Sequence, residues 1–156
     1  MLRPRSLAIH GSTRLRGHLL ALLASILITV PVLSRSAAAL TTEEVTFATM
    51  ANDVRSNHSL RRLRVTERLS ELARRHSKRM AVRGELYHSN LRRTFRRFHF
   101  RVVGENVGYA GSIDRLMGAF MESAPHAQNV LGTWRRSGVG VVWSGDRVWV
   151  TQLFLA

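Results

Sequence analysis

The sequence predicts an α+β domain in which helices pack on a small antiparallel sheet, and three observations predict it. Apolar residues recur at helical spacing in three stretches before residue 125; Val- and Trp-rich runs of strand character appear only at the C-terminal end; no βαβ alternation joins the two. Helices first and strands last place the helices against an antiparallel sheet. A chain of 156 residues allows one such domain, because a second core would be starved of apolar material.

Residues 1–39 stand apart from this domain. Arg3, Arg5, Arg14 and Arg16 form a basic n-region, Leu19 to Leu33 is an apolar run, and Ala37-Ala38-Ala39 supplies the small residues of a cleavage site, the pattern of a secretory signal peptide. The rival is a retained membrane anchor, but the run is broken by Pro31 and falls short of the roughly 20 residues that span a bilayer. No adjacent Arg pair precedes the run, so the twin-arginine route has no support. Nothing after residue 39 is apolar enough to cross a membrane, so residues 40–156 are expected to form an exported domain without a transmembrane segment.

The first helix should start at Thr41 or Thr42, since Thr41 and Glu44 have capping-box spacing, and should carry Phe47, Met50 and Val54 on one face to about Asn57. A polar turn over Ser56–Ser59 leads to Thr66, the expected cap of a second helix whose buried stripe is Leu69, Leu72, Ala73, His76 and Met80; Gly84 ends it. Residues 85–111 lack a clean period. Ser112 caps a third helix bearing Ile113, Leu116, Met117 and Phe120, which stops before Pro125, and a short fourth turn runs from Pro125 to Leu131. Val139–Trp143 and Val148–Phe154 read as strands joined through the turn Ser144-Gly145-Asp146-Arg147.

With no cysteine, an exported domain of this size must be held by its apolar core alone. Of the 24 basic residues, 19 lie after residue 39 with all ten acidic ones, leaving +9 on the domain with His neutral. The excess is local: 14 Arg or Lys between Arg61 and Arg101, among them Arg92, Arg93, Arg96, Arg97 and Arg101, face only Glu67, Glu71 and Glu85. Such a flank draws anionic lipid headgroups or acidic envelope polymers, with nucleic acid the least fitting partner for an exported protein. The plain alternative is a solvated Arg-rich surface.

His88, Glu105, Glu122 and His126 lie near glycines and turns, where functional groups are carried on loops. Two imidazoles and a carboxylate suit a divalent metal such as Zn²⁺, and equally a general acid/base pair. No His-Glu-x-x-His, cysteine ligand or aspartate-rich calcium loop is present. His76, on an apolar stripe, reads as a hydrogen-bonded core residue; Trp134, Trp143 and Trp149 read as core and sheet packing. Ser89, adjacent to His88, lacks the turn geometry of a nucleophile with its base.

The order of several blocks adds to this. Asn52-Asp53-Val54-Arg55 resembles an N-x-x-R motif. Leu69 to Ala81, followed by Gly84 and His88-Ser89, resembles a helix running into a cleft histidine. Gly104-Glu105-Asn106-Val107, Phe120 to Leu131, Gly138 to Val141 and Trp149 to Phe154 resemble the remaining blocks of the CAP superfamily (cysteine-rich secretory proteins, antigen 5, pathogenesis-related proteins), in its cysteine-free bacterial branch. The resemblance covers residues 40–156 and implies an α-β-α sandwich. It also implies that His88, Glu105 and His126 are members of the family's His-Glu-Glu-His cleft, with His88 and His126 the positions for metal. By offset from Phe120 the fourth member falls at Ser123, and Glu122 is one residue away from it. Ser-Ala-Pro-His-Ala-Gln also departs from the family's Ser-Pro-x-His-Arg around that histidine.

The resemblance further implies a secreted or envelope-associated binding module for a lipid, a peptide or a divalent metal. The alternative is a hydrolase in which Glu105 and a histidine, or a histidine-bound Zn²⁺, activate water.

Overall fold

Helix α1, Thr42–Asn57, begins in a reciprocal cap: the Glu44 N–H donates to Thr41 Oγ1 at 3.3 Å and the Thr41 N–H to Glu44 Oε2 at 3.1 Å. The computed structural model describes residues 39–92 and 103–156. All of them belong to one compact unit, Arg35–Ala156. The expected signal peptide, Ala39 excepted, lies outside the described residues, as do Arg93, Arg96, Arg97 and Arg101.

After α1 come β1 (Arg64–Val65), α2 (Glu67–Arg83), β2 (Val103–Ala110), α3 (Ile113–Glu122), α4 (Ala124–Val130), β3 (Arg136–Ser144) and β4 (Arg147–Leu155). Thr66 occupies the cap position of α2 but its hydroxyl makes no cap bond, and Gly84 closes the helix in the left-handed conformation with φ 65°. Ser112 Oγ accepts the Arg115 N–H and caps α3. The chain then breaks at Ser123, and Pro125 sits in the first turn of α4, where a missing N–H costs nothing.

The strand order is β1-β3-β4-β2. β2, β4 and β3 are antiparallel, as expected from the sequence, and the two residues of β1 add a parallel pairing to β3 that makes the sheet mixed. Ser144 pairs with Arg147, leaving Gly145-Asp146 as a two-residue hairpin loop with Gly145 at φ 60°. β2 is the element sequence periodicity missed. It alternates no apolar face, because it carries Glu105 and Asn106 buried, with glycines at 104 and 108.

On one face of the sheet, Val139, Val141, Val148 and Val150 pack against Phe47, Ala48 and Ala51 of α1 and Leu116, Met117 and Phe120 of α3. On the other, Leu153 and Leu155 meet Leu69 and Ala73 of α2, while Val107 and Trp149 meet Met80. These are the three layers of an α-β-α sandwich. At Gly140 the helix lies directly on the strand: a Cβ there would fall 1.9 Å from the backbone nitrogen of Arg74. Trp149 is buried and Trp134 stacks on Phe154, but Trp143 is 48% exposed at the hairpin end and is not core.

Two buried ionic groups tie the layers. Glu44, fully buried, takes a bidentate pair from Arg74 at 2.6 and 2.5 Å. Arg55, 2% exposed, donates to the carbonyls of Arg61, Val130 and Gly132, while both amide atoms of Asn52 bind the Leu63 backbone. The Asn52…Arg55 motif thus holds the chain that follows α1, and holds α4 to it.

Candidate functional site

Alternation along β2 turns Glu105 and Val107 toward α2, and Asn106 and Gly108 toward α3 and α4. The Glu105 side chain is 1% exposed, whereas that of His88, in the loop after α2, is 63% exposed. Glu105 Oε2 lies 2.8 Å from His88 Nδ1 and accepts the Ser89 N–H at 2.8 Å. Its other oxygen, Oε1, is buried without a hydrogen-bond partner. Glu105 therefore works from beneath the surface: it fixes the orientation of the histidine that solvent reaches, leaving Nε2 as the outward atom.

His76 holds the same loop from the helix side. Its Nε2 lies 2.8 Å from the Tyr87 carbonyl, its Nδ1 3.2 Å from Arg79 Nη2, and its ring meets Tyr87 edge-on. A carbonyl can only accept and a guanidinium can only donate, so both contacts are satisfied by a neutral ring protonated on Nε2. Burial, first, and the charges of Arg79 and His88 push its pKa down, against the Tyr87 carbonyl and Glu105.

His126 comes from the first turn of α4. Its Nδ1 is 2.9 Å from Ser123 Oγ and its ring stacks on Phe120 with centroids 4.8 Å apart. Burial lowers its pKa, and the charge of His88, 38 positions earlier in the chain, lowers it further. The position of α4 is set by amide clamps: Asn106 Nδ2 donates to the His126 carbonyl at 3.0 Å, Asn129 Nδ2 to Asn106 Oδ1 and the Glu105 carbonyl, and Trp134 Nε1 to the Asn129 carbonyl. Asn106 thus pins a helix from within a strand.

Beside His126 lies a groove of about 400 Å³ whose walls include Leu86, Val107, Tyr109, Leu116 and Phe120, with Ser123 and His126 as its polar side chains besides the Tyr109 hydroxyl. Gly108 makes the wall possible, because a Cβ there would stand 2.8 Å from both Leu116 Cδ1 and Phe120 Cε1. Of the two candidates for the fourth cleft position, Ser123 reaches His126, while Glu122 is exposed at the end of α3.

For a metal, the donor set is thin. Among the described residues no group of three His, Cys, Asp or Glu side chains is placed to hold an ion. His88 and His126, each with Nδ1 engaged, offer two Nε2 atoms, half of a tetrahedral shell. The residues present do not fit a zinc site closed by protein ligands.

The family model described as the cysteine-rich secretory protein family, CAP, matches residues 49–154. The chain belongs to the cysteine-rich secretory protein family. Its cysteine-free sequence fits the bacterial branch of that family, and solved structures share its fold. An outer surface protein from Borrelia burgdorferi superposes with a TM-score of 0.67 at 13% identity, covering 76% of this chain and 95% of the other. Venom allergen-like protein 4 of Schistosoma mansoni gives 0.64 at 16%, covering 74% and 89%. An extracellular SCP-domain protein from Bacillus anthracis gives 0.63 at 22%, covering 76% of this chain and 44% of that one. No curated protein sequence matches.

Within this CAP domain the sequence points to His88, Glu105 and His126 as candidates but does not show what positions them. His76 was read as core only, and Asn129 only as part of a sequence block; their roles depend on partners 11 and 24 residues away.

Proposed function

We propose that this CAP domain is a non-enzymatic binding module outside the cytoplasm, whose groove takes the apolar chain of a small amphiphile while His126 and Ser123 meet its polar end. The observation that carries the reading is the groove itself: apolar walls around about 400 Å³ with Ser123 and His126 converging on it. A concave, mostly apolar surface with a few placed polar groups is the usual form of a small-molecule site. The basic n-region and apolar run at the N-terminus support an extracytoplasmic setting, as does a family described as secretory. Among the described residues no helix is long and apolar enough to cross a membrane.

What weighs against hydrolysis is the state of Glu105. Its Oε2 is engaged by His88 and the Ser89 N–H, and its side chain lines a separate cavity of about 130 Å³ with His76, Arg79 and Ser89, not the groove beside His126, so it is not placed to activate water on a chain held in that groove. A peptide or a divalent metal fits less well: the groove wall offers little polar chemistry for a backbone, and the imidazoles supply too few ligands.

The test is displacement of a fluorescent fatty-acid probe by dodecanoate from residues 40–156, the stretch holding every described core cluster. Ala119, exposed on α3 and lining the groove, accepts a bulky side chain without disturbing the core. Ala119→Trp should weaken binding about tenfold or more with an unchanged melting temperature. Equal affinity in the two proteins would overturn the groove as the site.

A further inference from the structure

We propose that the surface around the C-terminal end of α2 docks on an anionic lipid bilayer, with Lys78, Arg83 and Arg147 meeting the headgroups and Val82 and Leu86 entering the interface. This goes beyond the groove reading, since the face can dock whether or not the groove is filled.

The solvent face of α2 is written opposite its buried stripe. Leu69, Ala73, His76, Ser77 and Met80 face the sheet, while Arg75, Lys78, Arg79 and Val82 follow one another at helical spacing on the outside. Val82 is 79% exposed in the last turn, and Leu86, just past the Gly84 cap, is 45% exposed. Lone exposed apolar residues need no explanation, but these two lie four positions apart around the Gly84 cap, flanked in the chain by Lys78, Arg79 and Arg83.

The neighbouring strand ends extend the same face. Tyr87 joins the cluster of Met80, Val107 and Trp149, and Tyr109 packs on Trp149 with centroids 4.7 Å apart. Arg83 lies 5.2 Å over the Tyr87 ring and Arg147 5.0 Å over that of Tyr109, which is itself 43% exposed. The acidic residues near this surface are Glu71, paired with Arg75, Glu85, in the turn between Val82 and Leu86, and Asp146, exposed in the hairpin loop beside Arg147.

The cations alone would serve a soluble polyanion as well as a membrane. The apolar pair and the tyrosine decide for a bilayer, because an interfacial surface combines apolar insertion with basic side chains whose aliphatic stems lie along the headgroup boundary. Leu86 and Tyr109 also line the groove, so a docked domain would turn that opening toward the lipid.

The experiment is co-sedimentation of residues 40–156 with vesicles of phosphatidylcholine, with and without phosphatidylglycerol, at low and high salt. The N-terminal apolar run is omitted because it would bind vesicles by itself. Binding should require phosphatidylglycerol and weaken with salt, and Lys78→Glu with Arg83→Glu should reduce it about thirtyfold or more. Val82→Ser, at a position outside the groove, should also weaken vesicle binding while leaving association with soluble polyphosphate unchanged. Melting curves of the variants, all at exposed positions, confirm that each is folded. Equal binding to neutral and anionic vesicles would overturn the proposal. So would a Val82→Ser protein that binds vesicles like the parent, which would assign the face to soluble polyanions instead.

Discussion

Arg55 shows how a residue singled out in the sequence can serve structure instead of chemistry. It is a cation 2% exposed, satisfied by three backbone carbonyls, and burial lowers its pKa. Arg55→Ala should cost on the order of 3 kcal/mol in urea unfolding, because the carbonyls of Val130 and Gly132 lose their donor and α4 loses its tether. A change within experimental error would contradict that role. His76 and His126 make a second residue-scale prediction. Both have folded-state pKa values below the ordinary 6.5, chiefly through burial. The unfolded chain therefore binds more protons as the medium acidifies. Stability from these rings is fully present above about pH 6.5 and is lost progressively as pH falls below it toward the lowered folded values. For His76 the loss has a visible cause: a proton on Nδ1 would face the Arg79 guanidinium. Urea midpoints at pH 7.5 and 5.5 should differ in that direction, and a His76→Gln protein should show a smaller difference; a flat profile in the parent contradicts the assignment.

At the scale of elements, legibility followed the source of each pattern. α1, α2 and α3 announced themselves because their caps are local and their buried faces recur at helical spacing: Thr41 with Glu44, Gly84, and Ser112 all stand at the boundaries read from the sequence. The β3–β4 hairpin was equally plain from its valines and Gly145-Asp146, though both strands run further than the valines do, their extra residues being paired by register. β2 was hidden, since its residues were chosen by neighbours from other elements: Gly108 by Leu116 and Phe120, Asn106 by α4, Glu105 by the His88 loop. The contact of α2 with β3 is of the same kind, and it is testable. Gly140→Ala would place a methyl 1.9 Å from the Arg74 backbone, so the helix must lift off the sheet. The expected loss is about 3 kcal/mol or more in thermal or urea unfolding, well above an ordinary surface change. A loss under about 1 kcal/mol would mean that the layers have slack.

For the molecule as a whole, the resemblance carried the α-β-α sandwich, and it pointed to His88, Glu105 and His126 as candidates. It did not carry their division of labour. Nothing in spacing tells that Glu105 is buried and His88 open, or that Leu86, Val107, Leu116 and Phe120 from separate elements line one groove, although the offset from Phe120 did single out Ser123, which bonds to His126. Those facts arise where α3 and α4 fold back over the edge strand β2. The account rests on that groove holding an apolar chain beside His126. The most direct measurement is an isotope-filtered nuclear Overhauser experiment on labelled residues 40–156 with unlabelled dodecanoate. Contacts from the methylenes to Val107, Leu116 and Phe120, with a shift of the His126 ring signals, are the expected result. Contacts confined to other surfaces, with those side chains and His126 undisturbed, would contradict it.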